Sequence, residues 1–349
     1  MGELGFLGHR SPGISAFATA LMLCACASSP APTGQDRQQD NPHYTRSLLP
    51  GPQMAPNGQW TSPWSVSPFP FDQLLPSWNV SGTDTFRMEI QVTTGHGESP
   101  WLDMGGWGSW PAGDRATTGF AGGQVEIDLL KLKSPADRAR IRLRSTGPAT
   151  IDRLTFCFTR SEQLSGHDLK GKQSAVPALP VPQHRQTDEA PELAARICSP
   201  TAVNMLLAFR GVRLPTAQVA RELFDRENDI YGNWNRAVQG AARFGVGGYL
   251  TRTNDWNEAA ALLSGGQPLI ASIAAGPGQL TGAPYKETAG HLIVICGLDG
   301  NGRALVLDPA VPRTDFGLRA YALKELDGVW LGRGGFTYVL GSGAPPGAP

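Results

Sequence analysis

Ile197-Cys198-Ser199-Pro200-Thr201-Ala202-Val203-Asn204-Met205-Leu206-Leu207 sets a cysteine just ahead of a proline and an apolar run just behind it. Proline suits the first helical position, where its missing N–H has no intrahelical partner to lose. Ala202, Val203, Leu206 and Leu207 recur at helical spacing, and Gly211 supplies a helix end. The spacing predicts an amphipathic helix opened by Pro200. Cys198 then lies within a residue or two of a buried helix N-terminus, where unpaired N–H groups carry partial positive charge and favour a thiolate. Alone, the stretch also suits a small structural cysteine of a core; what separates the two readings lies downstream.

Gly290-His291-Leu292-Ile293-Val294-Ile295-Cys296-Gly297-Leu298 leads through Asp299-Gly300-Asn301-Gly302 into Arg303-Ala304-Leu305-Val306-Leu307-Asp308-Pro309. Two apolar runs around a Gly/Asp/Asn turn predict a β-hairpin. His291 opens its first strand and Asp308 closes its second, so the meeting ends make them neighbours. A thiol, an imidazole base and an orienting carboxylate are the parts of nucleophilic catalysis. From residue 179 onward the only histidines are His184 and His291, and His184 sits in a polar run with no strand behind it.

The 349 residues, 40% of them hydrophobic, suffice for about two domains with a sizeable core. Lysine plus arginine equals aspartate plus glutamate at 30 each, so nothing in the balance points to a nucleic-acid partner. The 43 glycines and 29 prolines fall in linkers and turns, as in β-rich domains with flexible joints. The five cysteines are Cys24, Cys26, Cys157, Cys198 and Cys296. No close pair in the folded part suggests a metal site, and no cofactor is expected. Cys157 and Cys296 sit in apolar runs and read as core residues, or as a disulfide joining two domains.

Residues 1–25 read as an export signal, with Arg10 ahead of a short apolar run. Leu23-Cys24-Ala25-Cys26 resembles the bacterial lipobox, which implies lipidation of Cys26 and a membrane anchor; each buried CH₂ contributes about 0.8 kcal/mol. Residues 26–67, rich in Pro, Gly, Gln, Asn and Ser, read as a disordered tether. Residues 68–163 read as an all-β sandwich: Phe86, Met88, Ile90 and Val92 alternate with Arg87, Glu89 and Gln91, and similar rows run through Val125, Ile127 and Leu129, through Ala139, Ile141 and Leu143, and through Leu154, Phe156 and Phe158. Trp101, Trp107 and Trp110 stand between glycines and suit either sugar stacking, as in a cell-wall glycan contact, or a core. The row Arg138, Arg140, Arg142 and Arg144 suits either an anionic partner or a solvated strand face. Residues 164–178 read as a linker, and residues 179–343 as a second domain. There Thr216 is expected to cap a helix reaching Phe224, further helices start near Trp234 and after Asp255, and strands cover Tyr249 and Ile273. A Gly/Pro loop over residues 275–289 precedes His291 and suits a cleft wall or a lid. Helices before an antiparallel sheet give an α+β order.

These residues carry a family likeness. Residues 179–340 resemble the bacteriocin-processing, double-glycine peptidase-like family, a branch of the papain-like cysteine peptidases. The likeness rests on Val181-Pro182 followed by Gln186, on Cys198-Ser199-Pro200-Thr201-Ala202, on Gly290-His291 and on Asp308-Pro309. It implies a papain-like fold, with Cys198 as nucleophile, His291 as base, Asp308 as orienting acid and Gln186 as oxyanion donor, Gln183 being the alternative. One position departs: glycine usually follows the family's cysteine, and here Ser199 does, with a side chain able to narrow the approach of a substrate backbone.

The reading that follows is an extracytoplasmic cysteine peptidase that hydrolyses peptide or amide bonds of a peptide or protein substrate. Its alternatives are a catalytically silent papain-like module that binds peptides, and a cell-wall-binding lipoprotein whose first domain does the work.

Overall fold

Apolar alternation of period two builds the first half of the chain and determines what its second half can lean on. The structure, a computed structural model, describes residues 42–48, 58–163 and 173–341. The expected export segment, Cys26 and much of the expected tether lie outside those residues. Ten strands come first: β1 (His43–Leu48), β2 (Gln59–Thr61), β3 (Ser65–Ser81), β4 (Phe86–Thr94), β5 (Gly97–Glu98), β6 (Leu102–Trp107), β7 (Gly119–Phe120), β8 (Gly123–Glu126), β9 (Leu129–Ser145) and β10 (Thr150–Thr159). They form one sheet with the path β1-β10-β3-β9-β4-β5 and further strands on β4 and β9. Its pairings are antiparallel.

The inward rows bury as the alternation expects. Met88, Ile90, Val92, Ala139, Ile141, Leu143, Leu154, Phe156 and Phe158 have no exposed surface and share one core, to which no helix contributes. A sheet that covers its own face this completely must fold over it. The outward row differs from the solvated face expected. Arg87, Glu89 and Gln91 are buried too. Glu89 accepts from Arg142 and Arg144, and Arg87 from β4 makes a two-nitrogen contact with Asp103. The arginine row lies over tryptophans: Arg138 and Arg140 over Trp64, Arg140 and Arg142 over Trp101, Arg144 over Trp110. Guanidinium groups thus satisfy buried carboxylates and cover aromatic faces at once. Of the three tryptophans singled out, Trp107 is core and Trp101 and Trp110 are half-buried under these cations.

Two other expectations shift. The row Val125, Ile127, Leu129 is not one strand: Ile127 has φ +57° and stands 47% exposed at the tip of the β8–β9 hairpin. The alternation runs on across the turn, which hides the break. The stretch expected as tether contains β1, β2 and the start of β3, because its polar residues pair by backbone register, His43 opposite Thr159 through Leu48 opposite Leu154.

The second half carries helices α1 (Pro191–Ala194), α2 (Cys198–Phe209), α3 (Thr216–Leu223), α4 (Trp234–Arg243), α5 (Trp256–Ser264) and α6 (Leu323–Val329). Its strands are β11 (Gly248–Arg252), β12 (Leu269–Ala275), β13 (Thr288–Leu298), β14 (Arg303–Leu307), β15 (Arg319–Ala322) and β16 (Phe336–Leu340). They form an antiparallel sheet in the order β11-β16-β12-β13-β14-β15. Its apolar runs are continuous because both faces are covered. Ile270, Leu292, Val294, Tyr338 and Leu340 pack with α2, α3 and α4; Leu269, Ala271, Ile293, Ile295 and Val339 pack with α5 and α6. The architecture is α+β. Asp255 caps α5 as expected, accepting from Asn257 and Glu258. Thr216 does not cap α3; Pro215 occupies that place and Thr216 is the first helical residue.

The two halves share structure. Leu75, Leu129 and Cys157 of the β domain belong to the core built on α2 and α4. β11 is an edge strand, and its outward N–H groups are taken by side chains of β3: Gly248 donates to Asn79 Oδ1 at 3.0 Å and Leu250 to Ser77 Oγ at 2.9 Å. Gln239 of α4 bonds both backbone groups of Val80 at 2.8 Å. A lone second domain would leave these buried donors unpaired, each at a cost of about 1–3 kcal/mol.

Asp128 makes a further link. It follows the exposed tip at Ile127, is 6% exposed, and accepts the Trp234 N–H at the start of α4 at 2.8 Å. Burial pushes its carboxyl up to about 7, with the Asp225 charge adding to the rise. A folded pKa above the unfolded value means the folded state holds the extra proton, so stability falls as pH rises from about 4 to about 7. Asp128→Asn keeps an acceptor for Trp234 and removes the charge. It should be more stable than wild type at pH 8 by on the order of 1–4 kcal/mol, with the difference gone at pH 4. Thermal unfolding across that pH range measures it; an equal difference at both ends would refute the assignment.

Candidate active site

The helix of the cysteine begins two residues earlier than the proline suggests. Ile197 is the N-cap and Cys198 the first helical residue. Pro200 takes the third position, where an N–H would still be without an intrahelical partner, so the proline costs no bond. The first helical bond runs from Thr201 N–H to Ile197 O at 3.0 Å, doubled by Thr201 Oγ1 at 2.7 Å. The far end is a Schellman cap: Gly211 at φ +90° donates to Ala208 O and Val212 to Leu207 O. The helix is not amphipathic: Ser199 through Leu207 are all buried, so it is a central helix enclosed on every side. Of its first turn, Cys198 alone keeps exposed surface.

The hairpin forms from β13 and β14, with Val294 opposite Leu307 and a bulge near Cys296. Asp308 lies one residue past β14 and His291 three residues into β13, and His291 Nε2 meets Asp308 Oδ1 at 2.8 Å. The other ring nitrogen is left for Cys198, whose sulfur lies close enough to raise the imidazole. Thiol, imidazole and carboxylate therefore stand in one row. Asp308 has no exposed surface. Besides His291 it accepts from Ala310 N at 2.9 Å, Tyr321 OH at 2.9 Å and Tyr285 OH at 3.1 Å. A carboxylate buried this deeply is held only by such full pairing.

Burial alone would push the Cys198 thiol up. The bond and charge of His291, with the N–H groups of Leu292 and Ser199, outweigh it and hold the thiol below its ordinary value. Burial would likewise lower His291, but Asp308 and the Cys198 sulfur raise it. Asp308 is held low against burial by His291, Ala310 and Tyr321. These directions favour a thiolate–imidazolium pair. Cys157 and Cys296 are free, buried thiols raised by burial, Cys296 to about 12, and no disulfide joins them.

Gln186 sits beside this row without joining it. Its N–H donates to Pro309 O at 2.9 Å, and its Nε2 donates to Ala194 O at 2.8 Å. The amide donor expected for an oxyanion is thus engaged one turn before Cys198. Gln183 accepts from Gly317 N–H at 2.7 Å, and its Nε2 is buried without a partner. Ser199 does not narrow the cleft. It is buried against the Tyr338 hydroxyl and is not among the residues lining the cavity in front of Cys198. That cavity is about 340 Å³, and Cys198, His291, Trp234, Phe336 and Arg333 are among its lining residues.

Sequence reasoning missed four contributors. Tyr285, in the Gly/Pro loop, lies edge-on to the His291 ring at 4.9 Å besides bonding Asp308. Tyr321 comes from β15. Trp234 and Phe336 pack with ring centroids 4.2 Å apart, tilted by 42°, and both line the cavity. None lies near a motif residue in sequence except Tyr285, whose place in the loop ahead of His291 was the available signal. The loop is pinned, Thr281 to Glu325 and Gly282 O to Arg319. Among the described residues no group of three His, Cys, Asp or Glu could hold a metal ion.

Residues 178–338 match the Peptidase C39-like family, and residues 30–152 match the Peptidase C39 N-terminal domain. No curated protein matches. Two solved structures align with about half of this chain. One is a double glycine motif protease from an AMS/PCAT transporter in complex with the leader peptide: 18% identity, TM-score 0.32, 48% of this chain and 97% of that one. The other is described as a C39-like peptidase from Bacillus anthracis: 16% identity, TM-score 0.37, 49% of this chain and 100% of that one. The chain therefore carries a Peptidase C39-like domain over residues 178–338, preceded by a Peptidase C39 N-terminal domain over residues 30–152.

Proposed function

We propose that the protein is an extracytoplasmic cysteine peptidase that hydrolyses peptide bonds through Cys198, His291 and Asp308. The observation that carries this is the 2.8 Å hydrogen bond from His291 to the fully buried Asp308, with half-buried Cys198, the first residue of its helix, beside that imidazole. The Cys198 thiolate attacks the scissile carbonyl carbon, and its electron pair moves onto the oxygen. Backbone N–H groups at the start of α2 stabilise that oxyanion, joined by the Gln186 amide once it leaves Ala194. Collapse expels the amine, which takes its proton from His291 and leaves a thioester. Neutral His291 then takes a proton from water, hydroxide displaces Cys198, and the acid departs. Asp308 keeps the ring oriented and stays ionised. The Gln186–Ala194 bond is what favours the alternative, a silent peptide-binding module, since in that state its amide donor is occupied.

Purified protein lacking the export segment, incubated with a fluorescence-quenched peptide library, tests this. Cleavage is expected, absent in Cys198→Ala and lowered about 10²–10⁴-fold in Asp308→Ala. Cleavage that persists in Cys198→Ala ends the assignment; binding of peptides without any cleavage establishes the silent module.

We also propose that the mature protein is lipidated at Cys26 and so lies on the outer side of a membrane, on the Leu23-Cys24-Ala25-Cys26 run alone. Mass spectrometry of the mature N-terminus should find Cys26 first and carrying acyl chains. An unmodified N-terminus elsewhere rules this out.

A further inference from the structure

The cavity in front of Cys198 contains a charge that the catalytic row does not use. Its walls are small, aliphatic or aromatic, with Ser272, Ala274, Ile273, Leu292, Trp234 and Phe336 among them, and no carboxylate among the described residues lines it. Apart from the Cys198–His291 pair, Arg333 is the one charged residue among the described residues that line it. The Arg333 side chain is exposed and has no ion pair or hydrogen bond with another described residue.

Its backbone, in contrast, is fixed. Arg333 ends the turn Leu331–Arg333, with Arg333 N–H on Trp330 O at 3.0 Å. Gly334 at φ +99° closes the turn, and its carbonyl accepts from Arg252 Nη1 at 2.9 Å. Trp330 and Leu331 are buried. Gly335 O accepts Thr253 N–H at 2.7 Å. Three residues on, Phe336 is clamped between Trp234 and the buried guanidinium of Arg252, centred 4.0 Å from its ring. A rigid turn thus presents an unpaired guanidinium to the cavity, beside an aromatic wall and a second cation. A guanidinium offers two parallel donors to a carboxylate, and complementary charge sets which partner is preferred.

We infer that Arg333 is a specificity-determining residue that receives a carboxylate of the substrate, so that the peptidase prefers peptides with an acidic side chain or a free C-terminus close to the scissile bond. This rests on the peptidase reading above, and the test separates the two.

Cys198 is alkylated in the whole protein with iodoacetate and with iodoacetamide, which differ in the carboxylate. The quantity read is the ratio of the two rates. It should fall about 3- to 10-fold in Arg333→Gln, fall further in Arg333→Glu and be largely kept in Arg333→Lys. It should also fall with added salt in wild type more than in Arg333→Gln. An unchanged iodoacetamide rate in each variant shows that the site is intact. The same ratio in wild type and Arg333→Gln, with both reactions fast, overturns the role of Arg333 and leaves the peptidase reading standing. A Cys198 that reacts no faster than a free thiol with either reagent overturns both. The source of the carboxylate is read by competition against iodoacetamide with three peptides of one sequence: amidated with an internal Glu, amidated with Gln, and Gln with a free C-terminus. Protection by the Glu peptide assigns a side chain, and protection by the free C-terminus assigns the chain end, each lost in Arg333→Gln. Equal protection by all three contradicts the inference.

Discussion

The hydrogen bond between His291 and Asp308 is the constraint on which the rest of the second domain converges. A carboxylate with no exposed surface must have every lone pair engaged. Four separate pieces of chain engage Asp308: β13 through His291, the Gly/Pro loop through Tyr285, β15 through Tyr321, and its own following turn through Ala310. The same carboxylate raises His291, and the raised imidazole lowers Cys198. Fold and electrostatics are therefore one arrangement: what seats the hairpin also favours the thiolate. The helix that Cys198 opens, buried from Ser199 through Leu207, supplies the remaining field.

The β domain is more than an appendage to this arrangement. Ser77 and Asn79 finish the exposed edge of the second sheet, which would otherwise offer unpaired N–H groups to another chain. Asp128 reaches the first N–H of α4, whose residue Trp234 also lines the cavity in front of Cys198. A contact made by the first domain thus bears on a residue of that cavity's lining. The layer of arginines and tryptophans over β4 and β9 keeps buried carboxylates paired, which leaves those aromatic faces covered by cations of the same domain.

Much of this was legible in the chain. Cys198 before an apolar helix, and His291 and Asp308 at the ends of one hairpin, are local patterns whose meeting follows from strand geometry. What was not legible depends on partners distant in sequence. Pro200 seemed to mark a helix start because position one and position three tolerate proline for the same reason, the missing intrahelical partner. The Arg87, Glu89, Gln91 row read as solvated because alternation records which residues share a face and not what covers it. Ile127 kept the alternation going through a turn. β1 has no apolar rhythm and is defined by the register of β10. Tyr321 and Arg333 reach the site through tertiary placement alone.

The central claim is that Cys198 is a thiolate paired with His291, and the rate of its alkylation against pH measures that most directly. Each cysteine is followed by peptide mass in wild type and in His291→Ala. The account predicts that Cys198 stays reactive at mildly acidic pH, where an ordinary thiol of pKa about 8.5 is protonated, that Cys157 and Cys296 remain inert, and that His291→Ala slows Cys198 without unfolding the protein. A Cys198 rate that follows a pKa near 8.5 with or without His291 would contradict it.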